Sequence, residues 1–452
     1  MKVMKFGGTS VGSVESILSL KKIVEEAAAK ERVIVVVSAL GGITDRLIKT
    51  ADLAVCGDMA FNDECREIFM RHHQLIDTVI TDEGKRAALL EEVDMLLGEL
   101  NNIYQGLALI NNMTPKSEAT IVSYGERISS RIVTALIDGA VRFNARKFIK
   151  TETKHKKHIL ADEITDRLIH EHFDGCNERI IVVPGFIAQD KDNDEITNLG
   201  RGGSDYTAAI IAATLKADCL EIWTDVDGVR TADPRKVKNT KYLEKISFEE
   251  AAEMAHFGAK VLHPLTIEPA VKKNIPLYVL NSMNPSGKGT AILRNELIED
   301  GVKSVSFKEN IKVINIFSMR MINTSGFLRR VFEIFSENKV SVDLISTSEA
   351  NISVTVDAGE KIDKTVAELS EFCDVIVDDD KAQVSVIGKN IVRLNGMLKK
   401  TFAPLKRTNV YMISQGASFV NISFVVDREE LTEVVQDLHD HLFDNPEELE
   451  TF

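Results

Sequence analysis

Residues 33–40 read VIVVVSAL, an unbroken run of five β-branched residues followed by serine, alanine and leucine. A stretch that is apolar on both faces reads as a strand covered on both sides, which is the habit of a parallel sheet flanked by helices. Three more runs of the same kind follow: RIIVVPGFIA (179–188), CLEIWTDV (219–226) and IPLYVLNS (275–282). Between them Val14, Ile17, Leu18, Ile23, Val24 and Ala27 keep helical spacing, as do the apolar positions of YTAAIIAATL (206–215). Strand runs alternating with helical patterns predict an α/β fold, a mostly parallel sheet covered by helices. The stretch from about 60 to 112 reads as a helical hairpin added outside that sheet.

Toward the C-terminus the pattern breaks at MNPSGKGT (283–290), and a domain boundary is expected near 295–305. Beyond it VINIFSM, GFLRRVFEIFSENK, VDLISTS, NISVTVD, KTVAELSEFC and AQVSVIG read as strand, helix, two strands, helix and strand, a βαββαβ order. VDLIS (342–346) recurs as VYMIS (410–414) and NISVTVD (351–357) as NISFVVD (421–427), each about 70 residues further on, so the tail is a duplicated small unit.

The chain has 452 residues, ample for about three domains. Its 69 acidic and 55 basic side chains leave a net charge of -14, which disfavours nucleic acid as a partner. Five scattered cysteines without CxxC spacing indicate neither a disulfide framework nor zinc. No apolar run reaches spanning length and no leader pattern opens the chain, so a cytoplasmic protein without membrane contact is expected.

The strongest local signal is KFGGTS (5–10), which carries Lys5 into a Gly7-Gly8 turn ahead of a helix near Val14. Such a turn lets backbone N–H groups approach phosphate. GRGGSD (200–205) is a second glycine-rich loop opening a helix, with Ser204 or Asp205 expected as its N-cap and Arg201 able to fork onto a carboxylate. WTDVDGVRTADPR (223–235) follows a buried strand and suits a nucleotide. GAKVLHP (258–264) offers Lys260 as a second phosphate-facing cation, and SYGERISS (123–130) sets Glu126 and Arg127 near the expected start of a helix. Taken singly, each of these reads as an ordinary turn, cap or surface charge, and the four histidine pairs read as solvated faces. GxGxxG and GxxxxGK[ST] are both absent, which excludes the usual dinucleotide and P-loop sites.

Together KFGGTSV, VSALGGITD, SYGER, GRGGSDYTA, WTDVDGVRTADPR and GAKVLHP, in that order, resemble the aspartate kinases of the amino-acid kinase superfamily, across essentially the whole chain. The doubled tail is similar to that family's tandem ACT domains. The resemblance implies a catalytic domain over 1–295, ACT units over 305–385 and 386–452, and strands shared with 296–310. It implies ATP with Mg²⁺ as cofactor, L-aspartate as substrate, and a homodimer or dimer of dimers. Lys5, Asp205 and Lys260 are then the catalytic groups. Gly7, Gly8, Thr9, Thr224, Asp225, Arg230, Arg235 and Val261 join the two lysines around ATP, although the family pattern often has proline and tyrosine where this chain has Asp227 and Arg230. Thr44, Glu126, Arg201, Gly202, Gly203 and Ser204 form the aspartate site. Met321, Thr324, Gly326, Phe327, Leu328, Ser341, Val342 and Asp343 are implied to hold an amino-acid effector, L-lysine in the first instance. Against this stand a sister kinase of the superfamily, a catalytically silent ACT sensor, which retention of Lys5 and Asp205 opposes, and a dehydrogenase, which the missing GxGxxG opposes.

Overall fold

The computed structural model describes residues 1–154, 157–257, 264–322 and 324–444. They group into two compact units. The first comprises Met1–Val229 and the described residues up to Arg294; the second comprises residues 230–257 and those from Asn295 onward.

In the first unit seven strands line up in the order Thr290–Leu293, Leu277–Asn281, Cys219–Thr224, Lys2–Phe6, Val33–Val37, Ile180–Pro184 and Ala140–Arg142. All neighbours run parallel except Thr290–Leu293 against Leu277–Asn281. Every residue of Val33–Val37 is buried, as the unbroken β-branched run requires. Lys5 stands between Val36 and Ile222, so the central strand delivers it to the carboxyl edge, where the strand order continues with Val33–Val37 on one side and the much later Cys219–Thr224 on the other. Ligands of open parallel sheets bind at such a reversal. The expected hairpin is present as the helices Phe61–Val79 and Glu83–Ile110. It joins the same core, where the buried Tyr104 donates to the carbonyl of Leu47 at 3.0 Å.

RIIVVPGFIA is not one strand. It breaks after Pro184, and Ile187–Asp190 enters a separate four-stranded sheet with Lys150–Lys154, Lys157–Leu160 and Ile196–Asn198. Pro184 has no N–H for a ladder, and a Cβ on Gly185 would stand 2.7 Å from that of Ser204. Phe186 completes the kink at φ 66°.

The second unit carries a six-stranded antiparallel sheet in the order Ile345–Thr347, Asn351–Asp357, Gly301–Phe317, Asp374–Lys389, Asn421–Asp427 and Met412–Gln415. The two central strands have 17 and 16 residues and pair along nearly their whole length, with register shifts between Val302 and Ser304 and again between Lys308 and Val313. Residues 311–317 pair with Asn351–Asp357 over one core, built on Ile314, Val331, Phe335 and Val354. Residues 381–387 pair with Asn421–Asp427 over another, built on Val305, Val384, Phe424 and Leu438. The expected division at 385/386 therefore falls inside a continuous strand, because the last strand of one repeat runs straight into the next repeat. The expected span 1–295 is likewise interrupted: helix Phe248–His256 groups with the second unit, where Glu253 accepts from Asn421 Nδ2 at 2.5 Å. Among the described residues no helix is long and apolar enough to cross a membrane.

Candidate active site

At the carboxyl edge of the parallel sheet lies a cavity of about 380 Å³. Lys5 lines it from the central strand and Gly8 from just after it, Ser38–Gly42 from the next loop with Thr44 and Asp45 in the first turn of the helix that follows, Glu126 from another helix, and Phe186 with Gly200–Asp205 complete the wall. Gly8 and Gly41 fit because the two loops nearly touch. A Cβ on Gly8 would stand 3.1 Å from the Ala39 oxygen, and the Gly41 N–H donates to the Gly8 carbonyl at 2.9 Å.

Two helices point their N-termini at this space. Helix Ile43–Val55 starts from Gly42 at φ 77° and helix Gly203–Thr214 from Gly202 at φ 71°, both without a side-chain cap. The expectation of Ser204 or Asp205 as N-cap is thus corrected, since a left-handed glycine already turns the chain. Ser204 is buried against Gly185, and Asp205 faces Lys5. Uncapped N–H groups with the helix dipole behind them make a ready anion seat.

Lys5 Nζ lies 2.6 Å from Asp205 Oδ1, an ion pair without hydrogen-bond alignment that leaves this buried oxygen lacking a directed donor. Glu126 does not start a helix. It sits in the middle of Pro115–Leu136, 4% exposed, with Oε2 unpartnered among the described residues. Burial pushes its carboxyl up to about 8, against the pull of the Ala39 N–H and the Lys5 charge. An acid so perturbed, within the field of a lysine in a cleft, is a functional-site candidate.

The model of the Amino acid kinase family matches residues 1–281, and that of the ACT domain matches 314–371 and again 384–442. The chain belongs to the aspartokinase family. It is 33% identical to the lysine-sensitive aspartokinase 3 of Escherichia coli, over 98% of this chain and 99% of that one. It is also similar to the crystal structure of E. coli aspartokinase III with aspartate and ADP (R-state), at TM-score 0.85, 33% identity, and coverage of 98% of this chain and 100% of that chain. Against the same enzyme with lysine and aspartate (T-state) the TM-score is 0.80, at 33% identity and coverage of 98% and 99%.

In this aspartokinase the cavity gathers all six expected aspartate-site residues, together with Lys5, Gly8 and Asp205. It does not gather the rest of the expected nucleotide set. The Gly7 N–H bonds to the Trp223 carbonyl at 3.1 Å, and Thr9 is exposed. Thr224 donates to Asp225 at 3.1 Å. Arg230 and Arg235 group with the second unit, where Arg230 stacks 3.9 Å over Tyr242 and Arg235 pairs with Asp233. Lys260, Val261 and His263 lie outside the described residues. Phe186 and the wall from Ser38 to Gly41 were missed in the sequence. The Pro184-Gly185 pair was the available sign, since such a pair breaks a strand.

Of the expected effector residues, Thr324, Gly326 and Phe327 border a cavity of about 540 Å³ with Arg320, Arg330 and Phe372. Met321, Leu328, Ser341, Val342 and Asp343 do not line it. Asp343 is instead held by Lys308 at 2.6 Å, which also reaches Asp357 at 2.9 Å.

Proposed function

We propose that this aspartokinase transfers the γ-phosphoryl group of ATP to the β-carboxylate of L-aspartate, giving 4-phospho-L-aspartate, the first step toward lysine, threonine and methionine. The observation that carries this reading is one cavity holding Lys5, Asp205 and the neutral-leaning Glu126 in front of two uncapped helix N-termini.

Aspartate's side chain, with an ordinary pKa of about 3.9, is ionised at neutral pH, so no base has to activate it. The obstacle is the approach of one anion to another. Lys5 and the N–H groups behind Gly42 and Gly202 offset that charge where it builds up, the usual means of assisting phosphoryl transfer. Glu126 takes the substrate's α-ammonium and Arg201 its α-carboxylate, a complementary pair for a zwitterion. Asp205 orients Lys5. Mg²⁺ bound with ATP would supply further neutralisation of the phosphates; the undirected Asp205 oxygen suits a cation nearby. Lysine as feedback effector, acting through paired ACT units of a cytoplasmic homodimer, completes the proposal.

Incubation with ATP, Mg²⁺, aspartate and hydroxylamine should yield aspartyl hydroxamate. No hydroxamate, or as much from glutamate, would overturn the reading.

A further inference from the structure

Away from the kinase cavity, the first unit holds a cleft of about 460 Å³ between helix Glu83–Ile110, the end of helix Pro115–Leu136 and strand Ala140–Arg142. That is ample for a small molecule. Its floor is apolar, with Leu89, Ala135 and Ile137, and its polar wall is basic. Lys85 pairs with Asp138 at 2.7 Å and Arg131 with Glu92 at 3.1 Å. The Arg142 backbone belongs to a strand ladder, but its side chain has no hydrogen bond or ion pair among the described residues.

The carboxylates are the solvated partners. Asp138 and Glu92 keep 78% and 56% of their side-chain surface, whereas Arg131 keeps 18%. Exposed carboxylates screened by water offset a desolvated guanidinium poorly. Arg127 and Arg146 lie within electrostatic reach of Arg142, and among the described residues only Glu99 is ion-paired to either. Burial first lowers the proton affinity of Arg131, Arg142 and Arg146; repulsion from neighbouring arginines comes next at Arg142 and Arg146, and at Arg131 it follows the opposing pull of Glu92. The cleft lining itself sets three cations against two carboxylates, and Arg127 and Arg146, with Glu99 paired to the first, add one more net positive charge near Arg142, in a protein whose net charge is -14. Crowding of this kind is costly unless an anion comes to it, and guanidinium forks match tetrahedral oxyanions.

We propose that this cleft is a second anion site that takes a phosphate dianion, free or as the monoester of a small alcohol, with Arg142 as its principal contact.

The test uses the full chain in a Lys5→Met background, where the kinase cavity has lost its phosphate-facing ammonium, with inorganic phosphate and glycerol 3-phosphate titrated separately by calorimetry. Binding should persist there and weaken with added KCl. Arg142→Met should then weaken it at least tenfold, and Glu92→Gln, at a mostly solvated position, should strengthen it severalfold by removing a competing carboxylate. The tighter of the two probes tells free phosphate from ester. Absence of binding in the Lys5→Met background overturns the proposal. So does binding indifferent to Arg142→Met; should that variant fail to fold by circular dichroism, an unchanged affinity in Glu92→Gln does the same.

Discussion

If Glu126 receives the α-ammonium of aspartate, it must be ionised to do so, and in the empty cavity it is mostly protonated. With the carboxyl at about 8, about one molecule in ten is ready at pH 7 and about one in a hundred at pH 6. Binding therefore expels a proton. Between pH 6 and pH 7 the apparent Kd for aspartate should fall about tenfold, which is about 1.4 kcal/mol, and level off above pH 8. Calorimetry at pH 7 in buffers of different ionisation enthalpy should report release of about 0.9 proton per aspartate. Glu126→Gln should abolish both the release and the slope and weaken binding by about 10- to 100-fold above pH 8, since a neutral amide meets the ammonium. The same burial affects stability. Between the ordinary value of 4.5 and about 8 the folded chain keeps a proton that the unfolded chain has lost, so stability falls as pH rises through that window. At pH 7 the cost is about 3 kcal/mol, and Glu126→Gln should raise Tm while damaging activity. A Kd that does not change between pH 6 and pH 7, with heats indifferent to buffer, would refute the reasoning.

Lys5→Met is expected to lower kcat by about 100-fold or more with an unchanged unfolding curve, because a methionine keeps the volume and removes the charge; wild-type turnover would remove Lys5 from the reaction. Arg201→Lys should raise the KM for aspartate far more than that for ATP, as a lysine cannot reproduce a bidentate fork, and equal rises in steady-state assays would point to a collapsed cavity. An effector ammonium at Asp343 has to displace Lys308, so Lys308→Met should strengthen inhibition by lysine and Asp343→Ala should weaken it, read from inhibition curves with threonine as the parallel titrant. Opposite shifts would take Asp343 out of the effector site.

The parallel sheet was legible because Val33–Val37 is apolar without interruption and Cys219–Thr224 is broken only by Glu221, and burial on two faces is the habit of a parallel strand. The glycine loops were legible for the same kind of reason, since a Cβ on Gly8 would stand 3.1 Å from the backbone of the facing loop and leaves little room for a side chain. Glu126 was misplaced along its helix because a charge that faces inward carries the same letter as one that faces water. Only the cavity, made of distant segments, distinguishes them. The break at Phe186 was hidden by apolar residues on both sides of it. Likewise Arg230 and Arg235 share a turn-rich segment with Thr224, yet a change of unit follows Val229 and local composition does not announce it.

The strands Gly301–Phe317 and Asp374–Lys389 each serve both repeats. No scissors can separate the two: an excised second ACT unit starting at 386 would lose residues 381–385 from its own ladder with Asn421–Asp427 and bare the backbone of that edge to any passing strand. A duplication built this way is also hard to reverse, for a deletion that removed one copy would take half a ladder from the survivor. The pair should therefore melt as one object, and a thermal scan should show a single unfolding transition for it rather than two.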